Sequence, residues 1–156
     1  MIKQKRVRRI ISITLFTVYL CVLIYFLFFA ENMGRTGGSG YRYNLVPFKE
    51  IMRFIRGAHS VGAKAVWMNI GGNIAAFVPF GLFIAPVFGR KFSLWQKVLM
   101  SLDFAMIVET IQLVTRVGSF DVDDLLLNTL GGLLGGLIYM AFSAIERKRN
   151  NGKAQE

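Results

Sequence analysis

The sequence has 156 residues, of which 54% are hydrophobic, and a formal net charge of +10. Its apolar residues are gathered into long blocks and are not spread in amphipathic periods, which argues against an ordinary soluble domain. Because Cys21 is the only cysteine and His59 the only histidine, an internal disulfide, a cysteine metal site and a multi-histidine metal site are excluded.

Four apolar blocks have the length of membrane spans: residues 10–30, 67–88, 95–115 and 124–145. About 20 helical residues cross a hydrocarbon core roughly 30 Å thick, and the blocks are too long and too uniformly apolar for barrel strands. The charged residues inside them are Lys97, Asp103, Glu109 and Asp124. The sequence therefore predicts an all-α integral membrane protein whose single domain, residues 1–156, has four transmembrane helices.

The basic residues predict the orientation of these helices. Most of the 19 Lys and Arg residues lie before the first block, in the turn between the second and third blocks, and in the C-terminal tail. Since basic flanks stay on the cytoplasmic side, both termini are expected inside (N-in/C-in). Anionic inner-leaflet lipid accounts for most of this charge, so no nucleic acid is expected as a partner. The first block is expected to be a retained helix, because its apolar run is too long for a typical signal peptide and FFAENMG is a poor cleavage site.

The outer loop, residues 31–66, begins with GRTGGSG at residues 34–40, whose composition is typical of a flexible linker. A short amphipathic helix over residues 47–56 is predicted next, since Pro47 suits a first turn and Gly57 suits an end. Its basic face comprises Lys49, Arg53 and Arg56. We expect this helix in the membrane interface, either as an ordinary clamp or with its basic face on a phosphate of an envelope lipid.

Polar residues also occur within the second block and along the third. Asn69 and Asn73 share a helical face and are expected to join helices through their amides. Glu109, Gln112 and Arg116 form one stripe on a helical wheel, and a charged carboxylate within a bilayer costs at least about 2.5–3.5 kcal/mol. The stripe is therefore predicted to face protein, with Glu109 protonated, paired or facing a wet cavity. Gln112 lies midway and could bridge Glu109 and Arg116.

The start of the fourth block is acidic. Asp121, with Asp124 three residues later, resembles a capping pair at a helix N-terminus, and a carboxylate pair that binds Mg²⁺ is the alternative interpretation. Asn128 lies four residues after Asp124 and so shares its face. Close packing of this helix on a neighbour is predicted from its small residues, Gly131, Gly132, Gly135 and Gly136.

With both termini inside, the polar residues of three helices reach a similar depth beneath the outer loop. This arrangement predicts an outward-open polar pocket that binds a ligand. The candidate binding residues are Asn44, Asn73, Glu109, Gln112, Arg116, Asp121, Asp124 and Asn128, beside the basic face of the loop helix. No catalytic residue, metal ligand or cofactor is predicted, and the oligomeric state is left open.

Three segments, in their order along the chain, resemble the VanZ-like family: YNLVPFKEI, NIGGNIAAFVPFG and VETIQLVTRVGSFDVDDLLLNTLGGLLGG. The resemblance covers about residues 43–142, and no departure is seen at the family-like positions. These positions are Asn44, Pro47, Phe48, Asn73, Pro79, Gly81, Glu109, Gln112, Arg116, Asp121, Asp124, Asn128 and Gly132. The resemblance implies a multi-pass protein of the bacterial cell membrane, with members linked to resistance to teicoplanin and lipid-bearing glycopeptides.

The leading hypothesis is a cell-envelope protein that lowers susceptibility to such antibiotics by binding an anionic envelope lipid or the drug itself. Arg116 and the basic loop helix would then contact anionic oxygens, and Arg116→Ala is expected to lose protection. An alternative is an intramembrane enzyme that acts on a phospholipid or polyprenyl phosphate, with Glu109 or Asp124 as acid or base. A small transporter, or a structural partner of a larger complex, would also fit the size.

Overall fold

The computed structural model describes residues 2–30, 40–57 and 62–152. Within these ranges the backbone is largely helical, and four helices are long and apolar enough to cross a membrane, as the sequence predicts. The predicted linker at residues 34–40 lies outside the described residues, apart from Gly40.

Five helices and two short strands make up the described ranges. Helix α1 covers Ile2–Tyr25 and continues as a π-helical turn, Phe26–Ala30, and α2 covers Lys49–Arg56. Helix α3 runs through Ala63–Val66, a π-helical turn at Trp67–Gly71, and Gly72–Phe88. Helix α4 covers Leu94–Thr115, and α5 covers Val122–Gly152, well beyond the predicted end at residue 145. The strands are β1 (Tyr43–Asn44), which precedes α2, and β2 (Phe120–Asp121), which precedes α5.

Helix α5 is the central helix, and its glycines let it approach α3 and α4 closely. A Cβ atom at Gly135 would lie 2.0 Å from the carbonyl oxygen of Val78 in α3. On the side facing α4, a Cβ atom at Gly132 would lie 2.0 Å from the hydroxyl oxygen of Ser101. Since no side chain fits at such distances, the close packing predicted from the glycines is confirmed.

Aromatic side chains fill the space between α3 and α4. Phe77 is fully buried, and the rings of Phe80 and Phe104 stack with their centroids 4.6 Å apart and an interplanar angle of 4°. Helix α1 lies at the edge of the bundle, with most of its described side chains exposed. It is attached to α3 through the hydroxyl of Tyr19, which donates a hydrogen bond to the carbonyl oxygen of Ala76 at 2.8 Å.

Different secondary-structure elements lie at the two ends of the bundle. Helix α2 and both strands lie at the end where α4 stops and α5 starts. The other end holds the turn from α3 to α4, in which Gly89 adopts a left-handed conformation (φ 66°). Arg9 of α1 donates to the carbonyl oxygen of Val87 in α3 at 3.2 Å, and Arg8 pairs with Glu146 of α5. The first turns of α1 and the last turns of α5 therefore lie at the same end.

Candidate functional site

A parallel strand pair connects the loop between α1 and α3 to the turn between α4 and α5. Tyr43 pairs with Phe120 and Asn44 pairs with Asp121, and the backbone N–H of Phe120 also donates to the carbonyl oxygen of Arg42 at 3.1 Å. The sequence did not predict these strands, because each has only two residues and shows no alternating pattern. They fix the loop above the first turn of α5.

Asp123 holds the first turn of α2 in place. Its carboxylate is 1% exposed and accepts hydrogen bonds from the backbone N–H groups of Phe48, Glu50 (2.8 Å) and Ile51 (3.0 Å). Phe48 precedes the helix in a left-handed conformation (φ 65°) and offers no side-chain cap. Asp123 therefore supplies from α5 the negative charge and the acceptor oxygens that a helix N-terminus favours. Asp123 was not among the candidate binding residues.

Asp121 caps α5, as predicted, but its partner is not Asp124. One carboxylate oxygen of Asp121 accepts from the backbone N–H of Asp123 at 2.9 Å and from the amide of Asn44 at 3.1 Å. In a capping box, a side chain three residues later accepts from the backbone of the capping residue. Here Glu109 of α4 takes that place, since its Oε2 accepts from the N–H of Asp121 at 3.0 Å.

Glu109 is only 3% exposed and lies at the junction of α4 with the first turn of α5. The sequence offered three states for this residue: protonated, paired, or facing a wet cavity. The structure gives it a buried position with a backbone donor, so Glu109 positions the turn that carries Asp121.

Glu109 and Gln112 both lie on the buried face of α4, as predicted, but Arg116 does not continue that stripe. The amide of Gln112 donates to the carbonyl oxygen of Leu27 in α1 at 3.0 Å, and therefore does not bridge Glu109 and Arg116. Arg116 ends α4 in a left-handed conformation (φ 60°), is exposed, and stacks its guanidinium 4.8 Å from the ring centre of Tyr41. The wheel fails at Arg116 because the helix stops at Thr115.

A polar cavity of about 430 Å³ lies between the loop and the first turn of α5. Five of the residues singled out from the sequence line it: Asn44, Lys49, Arg53, Asp121 and Asp124. Sequence reasoning did not include the others in the site, namely Arg42, Tyr43, Glu50, Phe54, Asn69 and Ser119. Asn69 had a usable signal, because it shares a helical face with Asn73. The remaining predicted residues do not line this cavity: Asn73, Arg56, Glu109, Gln112, Arg116 and Asn128.

Among the described residues, three cations and three carboxylates line the polar cavity. The cations are Arg42, Lys49 and Arg53, and the carboxylates are Glu50, Asp121 and Asp124. Arg53 forms an ion pair with Glu50. Asp121 is already engaged by backbone and amide donors, whereas Lys49 is exposed. Among the described residues, no group of three or more His, Cys, Asp or Glu side chains could hold a metal ion. Lys49 and Arg53 offer hydrogen-bond donors in this lining, and Glu50, Asp121 and Asp124 offer acceptors.

An apolar groove of about 590 Å³ runs between α1 and α3 next to this cavity. Its walls include Val22, Leu23 and Pro79, and Asn73 supplies a polar group. The amide of Asn73 donates a hydrogen bond to Asp124, which lines the polar cavity. The polar cavity and the apolar groove therefore meet at this hydrogen bond.

Asn128 lies one turn after Asp124 on α5 and is 2% exposed. Its Oδ1 atom has no hydrogen-bond partner among the residues that the structure describes. A buried amide oxygen without a donor is uncommon and costs about 1–3 kcal/mol. Asn128 therefore belongs to the buried layer under the site and does not contact the cavity.

Fold and site together define a multi-pass helical membrane protein with an amphiphilic recess at one end of its bundle. The family model described as VanZ/LLP1 matches residues 16–143, and the chain belongs to this family. It is 27% identical over 134 residues to Protein VanZ of Enterococcus faecium, an alignment that covers 84% of this chain and 74% of that relative. No solved structure matches the chain. The resemblance seen in the sequence is thus confirmed, and this is a VanZ-like protein.

Proposed function

We propose that this protein lowers the susceptibility of a bacterium to teicoplanin and other lipid-bearing glycopeptides by binding an amphiphile at its recess. Family membership supports the resistance role. The observation that carries the binding role is the contact between the polar cavity and the apolar groove through Asn73 and Asp124. A ligand with an anionic head and a hydrocarbon chain matches both parts.

Each part of the recess suits one part of such a ligand. Lys49 and Arg53 donate charge-assisted hydrogen bonds to phosphate or carboxylate oxygens of the head. The groove holds the hydrocarbon chain of the ligand, whose methylene groups contact Val22, Leu23 and Pro79. An anionic envelope lipid and an acylated glycopeptide share this chemistry, so both are candidate ligands.

The recess is proposed to open toward the outside of the plasma membrane. The first turns of α1 and the last turns of α5 meet at the opposite end, where basic residues are concentrated. Basic flanks stay on the cytoplasmic side, so this end is inside and the recess faces the surface on which glycopeptides act.

The proposal is tested by expressing variants in a glycopeptide-susceptible bacterium and measuring the minimal inhibitory concentration of teicoplanin. The double variant Lys49→Gln/Arg53→Gln is expected to lose protection, because it removes both cations of α2 that line the cavity. Arg56→Gln, which removes one charge, is the control on the same short helix, since this arginine lies outside the cavity and is exposed. Immunodetection in isolated membranes establishes that each variant is inserted at the wild-type level.

Two further measurements make the result decisive. The wild-type protein should protect little against a glycopeptide that has no acyl chain, because such a drug has no hydrocarbon chain for the groove to bind. Photo-crosslinking with an acylated drug analogue distinguishes drug binding from lipid binding. Full protection by the double variant at normal membrane levels would refute the binding role.

A further inference from the structure

A separate cavity lies at the other end of the bundle, beside the turn from α3 to α4. It has a volume of about 300 Å³ and is formed by this turn and the last turns of α5. Its polar lining residues are Lys91, Tyr139, Ser143 and Arg147, and its apolar ones include Phe92 and Met140. No acidic residue is among the described residues that line it.

Lys97 places a third cation behind one wall of this cavity. It is fully buried, with its Nζ atom 4.0 Å from the ring centre of Tyr139 and 3.5 Å from the carbonyl oxygen of Gly136. In the part of the chain that the structure describes, no carboxylate forms an ion pair with it. Burying an ammonium group without a carboxylate is unfavourable, so an anion close by would be stabilised.

The contact with Lys97 also affects the phenol of Tyr139. An ammonium group over an aromatic ring is attracted to the π electrons and withdraws electron density from the ring. The hydroxyl of Tyr139, which lines the cavity, can donate a hydrogen bond to a negatively charged oxygen. The guanidinium of Arg90 lies 4.4 Å from the ring centre of Phe92, which lines the cavity.

We propose that this cavity binds the headgroup of an anionic phospholipid from the leaflet at that end of the bundle. Lys91 and Arg147 pair with the phosphate oxygens, and the hydroxyls of Tyr139 and Ser143 donate to the same group. Phe92 and Met140 contact the first carbons of the acyl chains. Basic pockets between membrane helices are a known way of selecting anionic headgroups, and here four donors line one cavity without a competing acid among the described lining residues.

This site is independent of the recess between α1, α2 and α3, because it lies at the other end of α5 and shares no lining residue with it. An experiment that refutes lipid binding at this cavity would therefore leave the proposed resistance role untouched, and the reverse also holds. A lipid bound there would contact both the α3–α4 turn and α5, and would hold these two elements together near Lys97.

The test is native mass spectrometry of the full-length protein titrated with phosphatidylglycerol and, in parallel, with phosphatidylcholine. Wild-type protein should retain one phosphatidylglycerol in preference to phosphatidylcholine. The double variant Lys91→Gln/Arg147→Gln is expected to bind phosphatidylglycerol on the order of 30-fold more weakly, from the usual contribution of two basic residues at a lipid surface. The matched control is Lys148→Gln/Arg149→Gln, which removes the same charge from exposed positions that do not line the cavity.

Tyr139→Phe separates the site from general electrostatic attraction, because it removes a hydroxyl and leaves every charge. It is expected to weaken binding by roughly 2- to 10-fold, as for one hydrogen bond. Equal losses in the two double variants would overturn the proposal, since attraction would then be unspecific. Competition by inorganic phosphate that abolishes lipid retention would also overturn it, because the ligand would be free phosphate. Unchanged thermal stability of each variant in phosphatidylcholine confirms that it is folded.

Discussion

The middle of α5 and its first turn are held by different kinds of contact. In the middle, Gly132 and Gly135 let neighbouring helices approach so closely that a single methyl group does not fit. At its first turn, the carboxylates of Asp121 and Asp123 accept hydrogen bonds from the side-chain amide of Asn44 and from backbone N–H groups of Phe48, of α2 and of α5 itself. One region depends on the absence of side-chain volume and the other on the presence of acceptor oxygens.

This difference predicts how far damage spreads. The glycine contacts hold α5 to α3 and α4, so a change there separates the helices that form the bundle. The contacts of Asp123 reach only the first turn of α2, which has no buried side chain. A change at Asp123 should therefore loosen the loop and leave the bundle intact.

The largest effect is expected for Gly135→Val. Its Cβ atom alone would lie 2.0 Å from the carbonyl oxygen of Val78, so α3 and α5 must move apart. The expected loss in free energy of unfolding exceeds the roughly 1–3 kcal/mol that is typical of overpacked cores, because backbone and not a flexible side chain is displaced. Unfolding by SDS in mixed micelles measures this loss.

Gly72→Val is the matched control for this variant. A Cβ atom at Gly72 meets nothing within 4 Å, so the same substitution in α3 should change stability little. A similar stability for both variants would show that the helices of the bundle are not packed as closely as these distances indicate.

A smaller and local effect is expected for Asp123→Ala. Loss of the carboxylate leaves the N–H groups of Phe48, Glu50 and Ile51 without their acceptor, and the free energy of opening α2 should fall by about 2 kcal/mol, as for the loss of a strong cap. Hydrogen exchange should accelerate at these amides and stay slow in α3 and α5. Asp103→Ala is the control, since Asp103 is exposed on α4. Faster exchange throughout the bundle would contradict a local role.

The regular part of the fold could be predicted from the sequence because its signals are local. The length of each apolar block gives a span, and the spacing of Gly132 and Gly136 gives a packing face. The hydrogen bond between Phe48 and Asp123 joins residues 75 positions apart, and no local pattern records such a pairing. The capping role of Glu109 could not be predicted for the same reason. The free-energy cost of a charged carboxylate in lipid did predict that Glu109 needs a partner.

For Arg116, the helical wheel predicts the wrong direction of the side chain. A helical wheel assumes that the helix continues, and α4 ends at Thr115, so the direction of the next side chain does not follow from the wheel. The left-handed conformation of Arg116 turns its guanidinium onto Tyr41 and away from Glu109 and Gln112, which are buried.

The smallest effect is therefore expected for Arg116→Ala, in contrast to the loss of protection predicted from the sequence. The arginine is exposed, does not line the polar cavity, and its stacking on Tyr41 contributes about 0.5–1 kcal/mol at an exposed site. The minimal inhibitory concentration of teicoplanin should remain close to the wild-type value. Arg116→Gly removes the same guanidinium but suits the positive φ, so the two variants should protect equally if the charge is dispensable. Loss of protection in both, at normal membrane levels, would mean that Arg116 contacts the ligand and that the recess extends beyond the cavity to Tyr41. Loss in the alanine variant alone would instead trace the effect to strain at the end of α4.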